Sequence, residues 1–248
     1  MGTIDRCLAL YRGDAYFVSR PVPPESADYW LQKTDPDGQV RDLETERHGR
    51  MEDVRYIAER VNVLPAGRVL DAGCGLGELL EQIDPRHETF GVDESARSIE
   101  ICRGRTNAKL EVASLEGGLP FEGSFAAVIA HHVIEHLNDP VRFVRDVHRR
   151  LAEGGLFVCG TPDFASAAAR RYGDRYRLLH DQTHVSLFIE DSLLRLLRDT
   201  GFIIDGVEKP YFDSRFASEE SFRRMVSPDD GPSPAFYGSF MTFFARRL

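Results

Sequence analysis

The stretch Arg68 to Leu80, RVLDAGCGLGELL, constrains the fold of this chain more than any other. A short apolar run, Val69 and Leu70, ends in an acid, Asp71; glycines follow at 73, 75 and 77, and apolar residues resume at Leu79. The pattern predicts strand, tight loop and helix, the unit from which parallel α/β sheets are wound. Glycine is required where a loop takes positive φ, or where a ligand lies directly on the main chain and a Cβ would clash with it. A strand-to-helix turn with no ligand carries the same glycines, so the loop by itself assigns no function.

Its surroundings narrow the choice. The spacing does not complete the G-x-G-x-x-G dinucleotide fingerprint. Glu78 stands where a phosphate would dock, and its carboxylate opposes the favourable field of a helix start for anions. Downstream, the apolar strand Thr89-Phe90-Gly91-Val92 runs into Asp93 and Glu94. An acid about 20 residues after the loop is placed to accept hydrogen bonds from a ribose diol. Asp71, at its own strand end, suits a cationic group. A nucleoside without phosphate and with a positively charged amino-acid tail meets these demands: S-adenosylmethionine.

The rest of the chain repeats the same alternation. Met51, Val54, Tyr56, Ile57 and Val61 recur at helical spacing, which predicts a helix over Glu46 to Asn62. Ala96 to Cys102 reads as a helix, Lys109 to Ala113 as a third strand, and Phe125 to Ala130 as a fully apolar fourth strand buried on both faces. Asp139-Pro140 starts a helix with a capping acid and a first-turn proline, Gly154-Gly155 ends it, and Leu156 to Cys159 is the fifth strand. A helix over Ile189 to Thr200 and strands over Phe202 to Val207 and Ser239 to Ala245 complete an α/β chain with a doubly wound, mostly parallel, seven-stranded sheet. We divide it into an N-terminal arm or lid, 1–46, and a main domain, 47–248, with insertions at 162–186 and 210–238. The first insertion leaves from the carboxyl end of a strand, where ligands of such sheets bind, and is expected to wall an acceptor pocket. Aromatic residues punctuate the arm (Tyr11, Tyr16, Phe17, Tyr29, Trp30) and the second insertion (Tyr211, Phe212, Phe216, Phe222, Phe236, Tyr237). They serve either packing or acceptor contact.

VLDAGCGLG, then GVDES, then LPFEGSFAAVIAHHVIEHLNDP, then LAEGGLFVCGTPD resemble, in this order, the class I S-adenosylmethionine-dependent methyltransferases, over roughly Arg68 to Phe164. VIEHL and the later THVSLF resemble the branch that methylates hydroxyls of sugars, quinone precursors and natural-product intermediates. The resemblance implies that Asp71, Gly73, Cys74, Gly75 and Gly77 hold the methionine end, Asp93 and Glu94 the ribose, and Ser114, Leu115 and Glu116 the adenine, with His131 on the cofactor wall. Ser114 replaces an acid usual in the family. It also implies an antiparallel last strand inserted beside the fifth.

Transfer of a methyl group to a hydroxyl needs aligned partners and a base for the proton. His131, His132, Glu135 and His136 follow the buried fourth strand, and His180, Asp181 and His184 form a second polar cluster. The resemblance places His136 near the pocket and a histidine comparable to His184 over the acceptor, so these two are the candidate bases. The letters H-x-x-E-H at His132, Glu135 and His136 match an inverted zinc-protease signature, but that motif needs one continuous helix. Quinone-pathway relatives carry E-x-x-E-H here and are associated with a divalent cation; His132 in place of the first acid removes an oxygen ligand that magnesium prefers. No metal is expected. Methylation of an amine, and a non-catalytic cofactor-binding subunit, remain open beside the hydroxyl reading.

The totals set the boundaries. A net charge of −9 over 248 residues argues against nucleic-acid partners, whose binding is driven by clustered Lys and Arg. Four scattered cysteines suggest neither a disulfide framework nor a zinc site and fit a reducing cytoplasm. The start MGTIDRCLALYRGD lacks the apolar run of a secretory signal, and no segment approaches the roughly 20 apolar residues of a membrane span. A cytoplasmic enzyme acting on a small molecule is the expectation.

Overall fold

The computed structural model describes residues 2–21, 32–34, 40–42, 45–210, 217–234 and 239–248. In chain order these form α1 (Thr3–Ala9), β1 (Val18–Ser19), β2 (Gln32–Thr34), β3 (Val40–Asp42), α2 (Arg47–Asn62), β4 (Arg68–Ala72), β5 (Glu88–Asp93), α3 (Ala96–Arg103), β6 (Lys109–Val112) and β7 (Phe125–His131). There follow α4 (Pro140–Arg150), β8 (Leu151–Pro162), α5 (Ala167–Tyr172), β9 (Ser186–Leu187), α6 (Glu190–Asp199), β10 (Phe202–Glu208), α7 (Glu219–Val226) and β11 (Phe240–Arg247).

Seven strands make the central sheet in the order β10-β11-β8-β7-β4-β5-β6. β4 pairs in parallel with both β5 and β7, while β11 runs antiparallel between β8 and β10, as the resemblance implies. Because strand side chains alternate, Leu70, Val128 and Phe157 pack on one face with α4 and α6, and Val69, Ala127, Ile129 and Val158 pack on the other with Ile57 and Val61 of α2. Both faces are apolar, which explains why β7 reads as a continuous hydrophobic run. Strand order reverses between β4 and β7, so the crevice for a ligand opens beyond their carboxyl ends.

Two elements differ from expectation. Where the glycine loop should lead into an α-helix from Leu79, there is only a 3₁₀ turn, Leu80–Gln82. Pro85 disfavours helix in the residue before it, and β5 must begin at Glu88. The Asn62 side chain holds this short connection, donating to the Gln82 carbonyl at 2.8 Å and accepting the Asp84 N–H at 2.8 Å. In the second case α4 starts as expected, with the Asp139 carboxylate accepting the Arg142 N–H at 2.9 Å, but it ends at Arg150 rather than at Gly154-Gly155. Leu151 already belongs to β8, and the two glycines absorb an irregularity at which the β7–β8 register shifts between Phe125 and Ala127.

The arm and the first insertion form a core of their own. Ile4, Cys7, Leu10 and Val18 pack against Phe164, Ala168, Tyr176 and Leu187. β1 pairs antiparallel with β9, Val18 opposite Leu187. Tyr16 donates from its hydroxyl to Asp199 at 2.7 Å, Phe17 lies 5.5 Å from Phe188, and Tyr11 is exposed, so the arm's described aromatics divide between packing and solvent. Tyr29, Trp30, Tyr211, Phe212, Phe216, Phe236 and Tyr237 lie outside the described residues, and Phe222 on α7 is exposed. Among the described residues no helix is long and apolar enough to cross a membrane.

Candidate active site

The glycine loop is built from β4 and clamped by β5. Gly73 and Cys74 both donate their N–H to the Val92 carbonyl, at 2.7 and 3.0 Å. Asp93, the last residue of β5, accepts the Gly75 N–H on Oδ2 at 3.0 Å and the Ser95 N–H on Oδ1 at 2.9 Å. Burial pushes the Asp93 carboxyl upward and these two bonds oppose it. A carboxylate has about four acceptor sites, so two remain for a diol. The glycines have separate reasons. Gly73 (φ +84°) and Gly77 (φ +92°) take the left-handed region, and a Cβ on them would strike Val133 and Cys102 respectively. Gly75 alone leaves the main chain open, its nearest neighbour in the direction of a Cβ being the Arg50 guanidinium at 4.0 Å.

Charge is concentrated beneath this loop. Asp71 is buried, and burial, followed by the proximity of Cys102, Asp93 and Glu78, holds its carboxyl well above the usual range. Glu78 is also buried and pairs with Arg50 Nε at 2.9 Å, while Glu81 pairs with Arg47, so α2 supplies the cations for the loop's acids. Cys74 is buried against Cys102; hydrogen bonding with Cys102, then burial, raises its thiol far above the ordinary range. It therefore contributes backbone and packing to the loop.

At the end of β7 the chain turns sharply. His132 has φ +58°, the one positive value outside glycine among the described residues, and its N–H donates to the Gly160 carbonyl at 2.9 Å. Such a conformation in a non-glycine residue is an energetic cost that the surrounding contacts must hold in place. The turn carries Val133 over Gly73 and folds Ile134–His136 into a 3₁₀ turn, so the first motif and the histidine cluster share a wall. His131 lies across Gly160; burial, then the neighbouring His132, pushes its imidazole well below the usual range and keeps it neutral.

His136 and His184 are brought together from the 3₁₀ turn after β7 and from the first insertion, their ring centroids 5.0 Å apart. His136 Nδ1 lies 3.0 Å from the Thr183 carbonyl and His184 Nδ1 lies 2.8 Å from the Leu178 carbonyl. A carbonyl only accepts, so each ring carries a hydrogen on Nδ1, and Nε2 is the atom of each that can gain a proton. Each Nε2 faces an acid: Glu135 Oε1 at 4.0 Å for His136 and Asp181 Oδ2 at 3.5 Å for His184. Asp181 Oδ1 also accepts from the Thr183 N–H and hydroxyl, closing the turn that presents His184. One donor atom each from Glu135, His136 and His184 lies within 4.8 Å of the other two, although the Glu135 oxygens already accept from His132 and Thr161.

The adenine candidates are less engaged. Ser114 is exposed and Leu115 half-buried beyond β6, while Glu116 accepts from the Asn138 backbone and side-chain amides and so braces the start of α4. Glu94 is exposed beside Asp93, and His180 is exposed on the far side of the Asp181 turn. Sequence reasoning passed over Arg50 and Arg20. The first lies on a helix read only for its apolar stripe. The second lies in the arm, where its Nη1 donates to the carbonyls of Asp181 at 3.1 Å and His184 at 3.3 Å. Neither has a local signal, since both contacts span large distances in sequence.

Residues 45–205, covering both motifs and the insertion, match a family model described as a methyltransferase domain. The chain belongs to that family. A ubiquinone biosynthesis O-methyltransferase of Methylocella silvestris is 30% identical over 128 residues, covering 49% of this chain and 50% of that protein. The chain spans about half the length of the curated relatives it matches. Among solved structures, a SAM-dependent methyltransferase of Thermotoga maritima, titled a possible histamine N-methyltransferase, has a TM-score of 0.58 at 24% identity, covering 83% of this chain and 95% of that one. One from Archaeoglobus fulgidus has a TM-score of 0.57 at 22% identity, covering 83% and 99%. At these identities the structural likeness establishes the Rossmann-like methyltransferase fold.

Proposed function

We propose that this protein transfers a methyl group from S-adenosylmethionine to a hydroxyl of a small molecule. The observation that carries the reading is the shared wall: Val133 lies over the glycine loop that Asp93 clamps, and its carbonyl accepts the N–H of His136, one of two adjacent histidines with proton-accepting Nε2 atoms. The cradle fits the cofactor. Gly75 leaves main chain open to it, Asp93 keeps acceptor sites for the ribose, Asp71 gains a partner for its carboxylate from an ammonium group, and Arg50 borders the loop where the amino acid's own carboxylate would lie. Ser114 to Glu116 edge the adenine side. When bound, S-adenosylmethionine supplies a methyl group on a sulfonium leaving group, so the protein's task is alignment and removal of one proton.

His136 or His184 takes that proton on Nε2. Their Nδ1–H bonds to Thr183 and Leu178 fix both rings in the orientation this requires, and the neutral His131 lines the wall without competing for the proton. The name of the Methylocella relative, a ubiquinone biosynthesis O-methyltransferase at 30% identity over half of each chain, supports a hydroxyl acceptor.

The test has two stages. Calorimetry with S-adenosylhomocysteine should give saturable binding. Radiolabelled methyl transfer is then measured across catechols, hydroxybenzoates, deoxysugar nucleotides and matched amines. Transfer confined to amines would replace the hydroxyl reading, and tight binding with no transfer to any acceptor would favour a supporting subunit.

A further inference from the structure

Glu135 is fully buried at the centre of the histidine cluster. Its Oε1 accepts from His132 Nδ1 at 3.1 Å, its Oε2 accepts the Thr161 hydroxyl at 2.9 Å, and its backbone carbonyl accepts the Val185 N–H at 2.8 Å. The residue thus joins β7, β8 and the insertion. A carboxylate deprived of water is strongly disfavoured unless hydrogen bonds and opposite charge compensate it. Here burial alone would raise the carboxyl, yet the His132 hydrogen bond and the charges of His136, His132 and His184 bring it down to about 2. The bonds from His132 and Thr161 favour its anionic form. His136 turns its proton-accepting Nε2 towards it at 4.0 Å, and a ring nitrogen of His184 lies within 4.8 Å of it.

We propose that Glu135 is the positioning residue of the acceptor site: its buried carboxylate is the counter-ion for the imidazolium formed when His136 or His184 takes the acceptor's proton. The role rests on the methyl-transfer reading. In the step concerned the acceptor O–H bond breaks, the proton passes to Nε2, the oxygen's electron pair bonds the methyl carbon, and the C–S pair leaves with sulfur. Without a nearby anion the new positive charge would arise in a nearly closed site, since the side chains of His136 and His184 are only 15% and 6% exposed. An anion already in place stabilises that charge with no rearrangement at the moment of reaction.

The other groups facing this charge set its size at each ring. From β7 comes the neutral His131, from the turn after it the His132 ring that bonds Glu135, and from β8 the Thr161 hydroxyl and the buried Cys159 thiol. From the insertion comes Asp181 beside His184, and from the arm the Arg20 guanidinium on the carbonyls of Asp181 and His184. His184 thus has a second carboxylate, whereas His136 faces Glu135. Loss of the Glu135 charge should therefore affect His136 more.

The test needs no known acceptor. Protein labelled with ¹³C in the histidine rings is titrated by NMR between roughly pH 4.5 and 9, native and as Glu135→Gln. The His136 midpoint should fall by at least about one pH unit, a tenfold loss of proton affinity. The His184 midpoint should fall less, and that of His148 on α4 should stay in place. A folded Glu135→Gln protein whose His136 midpoint stays within about 0.3 unit of native overturns the proposal. Thr161→Val separates charge from packing: it removes a hydrogen bond and leaves the charge, so His136 should not move, and a fall equal to that in Glu135→Gln would mark a merely structural role. If Glu135→Gln does not fold, Glu135→Asp takes its place; it draws the charge back by one methylene, and an unmoved His136 is again the overturning result. Calorimetry with S-adenosylhomocysteine on the same samples keeps the two readings apart. Absent heat with a shifted His136 removes methyl transfer alone, while normal heat with an unmoved His136 removes the Glu135 role alone.

Discussion

The cradle and the proposed acceptor wall meet at Val133, whose side chain lies over Gly73 and whose carbonyl accepts the His136 N–H, and they are assembled in different ways. The cradle is local. Asp71, Gly73, Gly75 and Gly77 fall within seven consecutive residues, and Asp93, which clamps them, ends the adjacent parallel strand. The wall is assembled across the chain: His136 comes from the end of β7, His184 from the insertion after β8, and Arg20, which braces the His184 turn, from an arm that joins through β1–β9 pairing. A contact between neighbouring strands needs little loop closure, whereas contacts made over 160 residues depend on the whole sheet being in place first. The two halves should therefore fail separately under mutation.

The largest separation is expected at Asp93. Asp93→Ala removes both the anchor of the Gly75 and Ser95 amides and the proposed acceptor of the ribose diol. Affinity for S-adenosylhomocysteine should fall by at least about 100-fold in calorimetry, since hydrogen bonds to a charged group are worth roughly 1.5–3 kcal/mol each. The His136 and His184 ring resonances should stay where they are. Displacement of those resonances by Asp93→Ala would show that the halves are one unit.

The reciprocal experiment removes the two proposed bases. His136→Ala and His184→Ala, singly and together, should leave S-adenosylhomocysteine affinity within about twofold while transfer to the active hydroxyl acceptor falls by about 10² to 10⁴ for the double variant. A single variant that matches the double one identifies the base, and equal, partial losses assign the proton to the pair. An amine acceptor whose transfer survives the double substitution would show that no base is needed.

The same contrast explains what could be read from sequence alone. The seven strands and the capped start of α4 were legible because each is encoded by a short pattern: apolar runs in β4, β5 and β7, and Asp139-Pro140 at a helix start. The missing helix after Gly77 was not, because the tie that shortens it comes from Asn62, on another element. Nor did the glycines announce their separate reasons; that Gly73 makes room for Val133 depends on the positive φ of His132, 59 positions away. On the acceptor side the candidate histidines were named for their residue type and for the resemblance. Glu135 was considered only as part of a metal motif, and its place between two imidazoles depends on the insertion.

A smaller effect tests the cradle from within. The Asp71 carboxyl is held above its usual range by burial, so its ionisation costs the unliganded fold stability. The sign follows from linkage: the cost is absent below the unfolded value of about 4, grows as pH rises towards the folded one, and is fully present above it. Asp71→Asn should raise the melting temperature of the ligand-free protein by a few degrees at pH 7, with no gain near pH 3. The same change should weaken S-adenosylhomocysteine by about tenfold if the ammonium group pairs with Asp71 as proposed, about 1.4 kcal/mol. A lower melting temperature at pH 7 would show that Asp71 supports the fold and is not held ready for a cation.

The smallest expected effect is the most specific to this chain, because it lies in the arm. Arg20 is half-buried, and burial lowers its guanidinium from the ordinary range while Asp181 opposes the shift. That a charged group is drawn in at all follows from its position: its backbone N–H donates to Val185, and its Nη1 caps the carbonyls of Asp181 and His184. Those carbonyls belong to the turn that orients His184 Nε2. Arg20→Ala leaves them without this donor and should cut methyl transfer by about three- to tenfold, a loss of roughly 1 kcal/mol, as expected for a bond that acts through a neighbour. Arg20→Lys, which can still donate to both oxygens, should recover most of it. Amide exchange should speed up in residues 181–185 and leave the glycine loop unchanged. Faster exchange at Gly73 to Gly77 would mean that the arm reaches the cradle as well, and the division at Val133 would no longer describe how the site is held together.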